Sequence, residues 1–161
     1  MKKVIKADTR EKRNAEVLKY FQLINQPYVV DTVKAGDYIW VVNGEDDYST
    51  IIDLKADMVE ICGNIAGTKA HHERFKREIA RARELGCERF VVLIREPLNS
   101  LESVQNWVSP TLRNGRKLVK RPSTAIYKTM KTMSEKYGVE WMFTTRLNAG
   151  RDIIAILNGK K

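Results

Sequence analysis

Asp53 and Lys55 stand two residues apart in the run Tyr48 to Lys55, whose Tyr and Ile content predicts a strand. Their side chains therefore leave one face of it, while Ile52 and Leu54 leave the other and can enter a core. Asp37 opens the preceding strand-like run, so antiparallel pairing of the two brings a second carboxylate towards Asp53. Neighbouring carboxylates repel unless a cation joins them, and hard oxygen ligands favour Mg²⁺ or Mn²⁺. A lysine beside such an ion can hold and polarise a water for attack on phosphorus. An acid-x-lysine triplet is expected about once by chance in a chain of this length. It occurs once here, so the residues alone leave two readings open: a phosphodiester-cleaving centre and an ordinary surface ion pair between Asp53 and Lys55.

The elements that must position these groups follow from periodicity. Val4 to Ala7 is a short apolar run, and Asp8 or Thr9 can cap the helix predicted over Lys12 to Ile24, where Val17, Leu18, Phe21 and Ile24 recur at three and four. Tyr28 to Val33, Asp37 to Asn43 and Tyr48 to Lys55 predict three strands joined by short polar connections, hence an antiparallel meander. Met58, Ile61, Cys62 and Ile65 form one helical face, with Glu60 on the polar side. A longer helix runs from Lys69 to Leu85 and stops at Gly86. Arg89 to Arg95 reads as a fully buried strand. After the irregular stretch Leu98 to Pro122 come a helix over Ser123 to Tyr137, a strand over Glu140 to Thr144 and a helix over Asn148 to Asn158. This order predicts one α/β domain over 1–161, a three-layer α/β/α arrangement around a central mixed sheet.

Charge is the second informative feature. Lys and Arg number 29 against 20 Asp and Glu, a net +9, which makes a polyanion the leading partner class. Arg74, Arg77 and Arg81 form a stripe on the Lys69 helix, with His72 nearby. Between Ser103 and Ser134 there is no Asp or Glu, while Arg113, Arg116, Lys117, Lys120, Arg121, Lys128 and Lys131 are all basic. Such a segment suits phosphate contacts and equally a solvated basic loop.

Other patterns carry less. His71 and His72 are adjacent and cannot share a helical face as a zinc pair would. Among the tryptophans, Trp40 and Trp141 fall in predicted strands, and Trp107, in the irregular region, is the candidate for stacking on bases. Cys62 and Cys87 lie in apolar surroundings without a CxxC pattern, which indicates buried thiols in a reducing, cytoplasmic setting. The N-terminal residues Met1 to Lys6 show no secretory h-region, and no apolar run approaches the ~20 residues of a membrane span.

Five segments together resemble the XPF-type nuclease domain of the PD-(D/E)xK, restriction-endonuclease-like superfamily. They are Asp8-Thr9-Arg10-Glu11, Ala35-Gly36-Asp37-Tyr38, Ile51-Ile52-Asp53-Leu54-Lys55, His72-Glu73-Arg74-Phe75 and Phe90-Val91-Val92-Leu93-Ile94. The likeness spans Val4 to Ile94 and extends to short stand-alone versions found in bacteriophages, for which the host cytoplasm would be the site of action. It implies cleavage of branched or flapped DNA with Mg²⁺ or Mn²⁺, as in repair or recombination. It implies that Asp37 and Asp53 are metal ligands and Lys55 the catalytic lysine, with Asp8 at the site edge and Arg10 and Glu11 shaping it.

The match departs from the family pattern in three places. Asp53-Leu54-Lys55 stands where the family has Glu-Arg-Lys, which shortens the acid and removes the arginine. Val59 stands where an Asp is expected, with Glu60 next to it as a substitute acid. These departures motivate a rival reading, a non-catalytic DNA-binding or scaffold protein that keeps the fold. Family members often carry a helix-hairpin-helix module after the nuclease domain, for which this chain leaves no room. A homodimer, common among these domains, or the basic segment Arg113 to Lys131 would supply the missing grip on DNA, and the residues do not choose between them.

Overall fold

The computed structural model describes residues 1–11, 14–66 and 68–160. Six strands form one mixed sheet: β1 (Lys3–Asp8), β2 (Tyr28–Asp31), β3 (Tyr38–Val42), β4 (Glu45–Lys55), β5 (Arg89–Arg95) and β6 (Val139–Thr144), in the order β2-β1-β3-β4-β5-β6. Five helices cover its faces: α1 (Ala15–Leu23), α2 (Met58–Ala66), α3 (Lys69–Glu84), α4 (Ser123–Tyr137) and α5 (Ala149–Leu157). A 3₁₀ turn spans Leu101–Asn106. Among the described residues no helix is long and apolar enough to cross a membrane.

Alternation along the strands feeds two apolar layers, which confirms the three-layer arrangement. On β5, Phe90, Val92 and Ile94 join Met58, Ile61, Phe75, Ile79, Ile126 and Met130 from α2, α3 and α4 on one side. Val91 and Leu93 join Val17 and Phe21 of α1 and Ile153 and Ile156 of α5 on the other. Each of these large side chains contributes on the order of 1.5–3 kcal/mol by leaving water. The α5 layer is tied to the sheet by a long-range bond, in which Trp40 Nε1 on β3 donates to the Leu157 carbonyl at 2.7 Å.

The antiparallel part of the sheet is β1-β3-β4, with Lys6 opposite Ile39 and Val41 opposite Asp46. Asn43 and Gly44, at φ 51° and 84°, make the tight turn between β3 and β4. The expected three-strand meander over Tyr28 to Lys55 is corrected here. The strand at Tyr28 pairs in parallel with β1 at the sheet edge, Ile5 opposite Tyr28, so β1, α1 and β2 form a crossover unit. Asp8 and Thr9 do not cap α1, whose first residue is Ala15 and whose cap position is Asn14. Part of the expected helix over Lys12 to Ile24, residues 12 and 13, lies outside the described residues. The helices expected over 69–85 and 123–137 and the strand over 89–95 form as the periodicity predicts.

Trp107 is also corrected. It is 8% exposed in the α2/α4 layer, and its Nε1 donates to Glu96 Oε1 at 2.9 Å. The other Glu96 oxygen accepts the Met58 backbone N–H at 3.0 Å, so Glu96 staples the irregular segment to the start of α2. A ring held in this way cannot stack on a base.

Candidate nuclease site

The end of β1, the start of β3 and the end of β4 converge because their backbones are tied to one another. Asp37 N–H donates to the Ile52 carbonyl at 2.8 Å, and the Asp37 carbonyl accepts Asp8 N–H at 2.8 Å. Gly36, at φ +73°, precedes the acid, and a Cβ there would lie 2.3 Å from Ile51 Cγ2. Only glycine allows the chain to turn this close to β4. Asp37 Oδ2 then accepts the Leu54 N–H at 2.7 Å, which aims the carboxylate along β4.

On β4 the expected alternation holds. Ile52 and Leu54 are buried in the α1/α5 layer, while Asp53 and Lys55 face α3. The buried Leu54 occupies the place at which the resemblance has an arginine. Asp53 is 4% exposed and lies within hydrogen-bonding reach of Asp37. Burial first, and then the Asp53 carboxylate, hold the Asp37 carboxyl well above the usual carboxylate range. Lys55 Nζ lies 3.2 Å from Asp53 Oδ2 as an ion-pair neighbour, yet this buried oxygen accepts no hydrogen bond. The ammonium is also 3.9 Å from Glu60 Oε1 and 5.8 Å from the centre of the Phe75 ring. Burial pulls the Lys55 pKa down, but Asp53, Glu78 and Glu60 outweigh it and hold the group above its ordinary value, so it is charged at neutral pH.

Asp8 has a different job. Its Oδ1 accepts the Val33 N–H at 3.1 Å and its Oδ2 accepts Arg10 Nε at 2.9 Å, while Arg10 Nη2 donates to the Val33 carbonyl at 2.9 Å. The pair thereby fixes the segment leading to Gly36 and borders the site. Glu11 is buried and adds to the negative field at Asp37.

A cleft of about 640 Å³ opens over Asp37, lined by Asp8, Arg10 and Lys34 on one side and by Arg74, Arg77 and Arg81 of α3 on the other. Glu78 lies among those arginines and was missed by sequence reasoning, although it stands four residues after Arg74 and three before Arg81 on the same helical face. Burial first, then the Asp53 charge, raise its pKa to about 7, with Lys55 pulling the other way. The stripe is therefore basic with one acid set in its middle.

The remaining predicted cations lie away from the cleft. Arg113, Arg116 and Lys117 are exposed around the Thr111–Lys117 bridge, and Lys120 and Arg121 border a hollow beside Val59 and Cys62 of α2. His72, Arg121 and Lys128 meet in a groove between α3 and α4, and Lys131 is exposed on α4.

Two contacting acids, one with a buried oxygen free of hydrogen bonds, fit a divalent cation bound by carboxylates on one side and by water or phosphate on the other. Among the described residues no group of three or more His, Cys, Asp or Glu side chains is placed to hold a metal ion.

A mixed sheet with helices on both faces carries Asp-x-Lys on a strand end beside a second acid, an α/β architecture shared with known proteins. The chain belongs to the ERCC4 domain family, whose match covers residues 7–157. It is similar in fold to XPF from Aeropyrum pernix, with a TM-score of 0.63 at 17% identity over 96% of this chain. XPF from Aeropyrum pernix in complex with DNA gives 0.63 at 16% identity over 98% of it. The alignments span 63% and 64% of those chains. No curated protein matches it in sequence.

Proposed function

We propose that residues 1–161 act as a divalent-metal-dependent DNA endonuclease that hydrolyses phosphodiester bonds at branched or flapped structures. One observation carries this reading: Asp37 faces the arginines of α3 across the cleft and lies, on its inner side, within hydrogen-bonding reach of the buried Asp53, which pairs with Lys55. Repelling acids beneath a phosphate-binding wall are costly unless a cation joins them to the substrate. Asp37 and Asp53 hold Mg²⁺ or Mn²⁺, which when bound supplies Lewis acidity to the phosphoryl oxygens. Lys55, charged and fixed by Asp53, donates to the attacking water or the non-bridging oxygen and stabilises charge as it develops. Arg74, Arg77 and Arg81 hold the phosphates flanking the cut, and Asp8, Arg10 and Glu11 keep the Asp37 turn in register. Glu60 borders Lys55 as an outer acid. The cations from Arg113 to Lys131, with His72, extend the hold on DNA beyond the cut.

The test is incubation with labelled splayed-arm, junction and linear DNA, with and without Mg²⁺ or Mn²⁺. Cutting of the branched substrates that disappears in Asp53→Ala and Lys55→Ala, with DNA binding retained, supports the reading. Binding with no cutting under either metal sinks it in favour of a scaffold role.

A further inference from the structure

Helix α3 is basic on two sides. At 3.6 residues per turn, Arg74, Arg77 and Arg81 fall within about 60° of one another, whereas His72 and Lys76 lie about 160° round the axis from Arg74. The buried Phe75, Ile79 and Ala82 lie between the two sides. The second side faces α4 across a groove of about 320 Å³, lined by His72, Arg121, Lys128, Thr129, Thr132 and Tyr137 among others, with no carboxylate on its walls. An adjoining hollow of about 490 Å³ shares Lys136 and Tyr137 with it and adds Lys76. The one acid there, Glu73, is paired with Lys76 at 3.6 Å.

The lining has a definite chemistry. Arg121, Lys128 and Lys136 are exposed, and Arg121 Nη2 is steadied by Thr129 Oγ1 at 3.0 Å. Thr132 offers a hydroxyl, and the half-buried Tyr137 ring carries Lys76 Nζ 6.0 Å from its centre, which adds a cation at the groove's edge. Arg83, on the same side of α3, is already committed: it donates to the carbonyls of Cys87 and Tyr137, each at 2.9 Å, and closes the end of α4. His72 Nδ1 is likewise held by the Ile65 carbonyl at 3.0 Å.

We propose that this groove binds a single-stranded segment of the DNA substrate, so that α3 stands between a duplex in the catalytic cleft and a single-stranded arm. The groove of about 320 Å³ lies between helices packed about 8–10 Å apart axis to axis, too narrow to admit the full thickness of a duplex, which meets only its rim. A single strand can enter and set its phosphates on Arg121, Lys128 and Lys136. The inference rests on the nuclease reading for its substrate, and it gives that reading a source of preference for branched DNA.

The experiment is fluorescence anisotropy in EDTA, where nothing is cut, with a labelled single strand, a duplex and a splayed fork. Lys128→Glu/Lys136→Glu is compared with wild type and with the charge-matched control Lys2→Glu/Lys19→Glu, after thermal melts show that all three fold. Single-strand and fork affinity is expected to fall at least about tenfold in the groove variant, while duplex affinity, to which Lys128 contributes only from the rim, falls at most about threefold and the control stays within twofold on every ligand. Loss of two phosphate contacts lowers the single-strand salt slope by about 1.4. Equal losses on duplex and single strand, or an unchanged single strand, overturn the proposal. A protein that cuts no DNA yet shows the selective loss keeps the groove and sinks the nuclease reading, so the two fail separately.

Discussion

The Asp37 carboxylate accepts the backbone N–H of Leu54 at 2.7 Å, which binds the acid at the start of β3 to the strand that carries Asp53 and Lys55. Asn at position 37 can keep that bond through its amide oxygen while removing the charge that repels Asp53. Asp37→Asn is therefore expected to melt no lower than wild type without metal. Mg²⁺ is expected to raise the Tm of the wild type and not that of Asp37→Asn, since a ligand stabilises only the state that binds it. Cleavage should fall at least about 100-fold, as expected from the loss of several kcal/mol of transition-state stabilisation. Differential scanning fluorimetry with and without Mg²⁺, alongside a cleavage assay, checks all three. A Mg²⁺ shift that persists in Asp37→Asn would show that the ion binds elsewhere.

Gly36→Ala should be among the more damaging single changes near the cleft. The new methyl would meet Ile51 Cγ2 at 2.3 Å, and the left-handed backbone at φ +73° disfavours any Cβ. Left-handed strain of about 1–2 kcal/mol and overpacking of about 1–3 kcal/mol together predict a loss near 3 kcal/mol. Urea denaturation measures it. A loss below about 1 kcal/mol would mean that the turn relaxes without cost.

Above its pKa of about 7, Glu78 is a negative charge among the arginines proposed to bind phosphate, so the comparison is made at pH 8. Glu78→Gln keeps its shape and removes that charge. Duplex affinity is expected to rise roughly two- to fivefold at low salt, with the gain shrinking as salt is added. A fall in affinity measured by anisotropy would show that Glu78 orders the arginines more than it repels DNA.

Lys6 and Asp46 form a contact at 2.7 Å across β1 and β3–β4, and the hydrogen bond to Asp46 raises the Lys6 pKa above its ordinary 10.5 despite opposing burial. A lysine whose folded pKa exceeds its unfolded value adds stability that is fully present below about pH 10.5 and is lost as pH rises through the folded value. The Tm gap between wild type and Lys6→Met should accordingly stay constant from pH 6 to 9 and close above about pH 10.5. A gap that widens at high pH would reverse the assigned sign.

Much of the site follows from local rules, and the exceptions have physical causes. The period of two along β4 places Asp53 and Lys55 opposite Ile52 and Leu54, whatever the sheet's order. Strand pairing is a long-range choice, and Tyr28 to Val33 mimics a hairpin arm because Lys34-Ala35-Gly36 has hairpin length. The crossover through α1 instead delivers it in parallel to β1. Glu78 was hidden by its neighbours, since an acid on a basic helical face reads as ordinary charge mixing until the facing strand is known. Trp107 lies in a stretch without periodicity, so its burial depends on Glu96, eleven residues earlier, which local pattern cannot anticipate.

The bond from Trp40 to Leu157 joins residues 117 positions apart. Ribosomal synthesis delivers Asp37, Asp53 and Lys55 early, but β3 gains its α5 covering only when residue 157 is available to dock. Contacts of such sequence separation form late because loop closure must precede them. The proposed site is thus a product of completed folding: a nascent chain carries Asp37 and Asp53 well before it can hold them side by side.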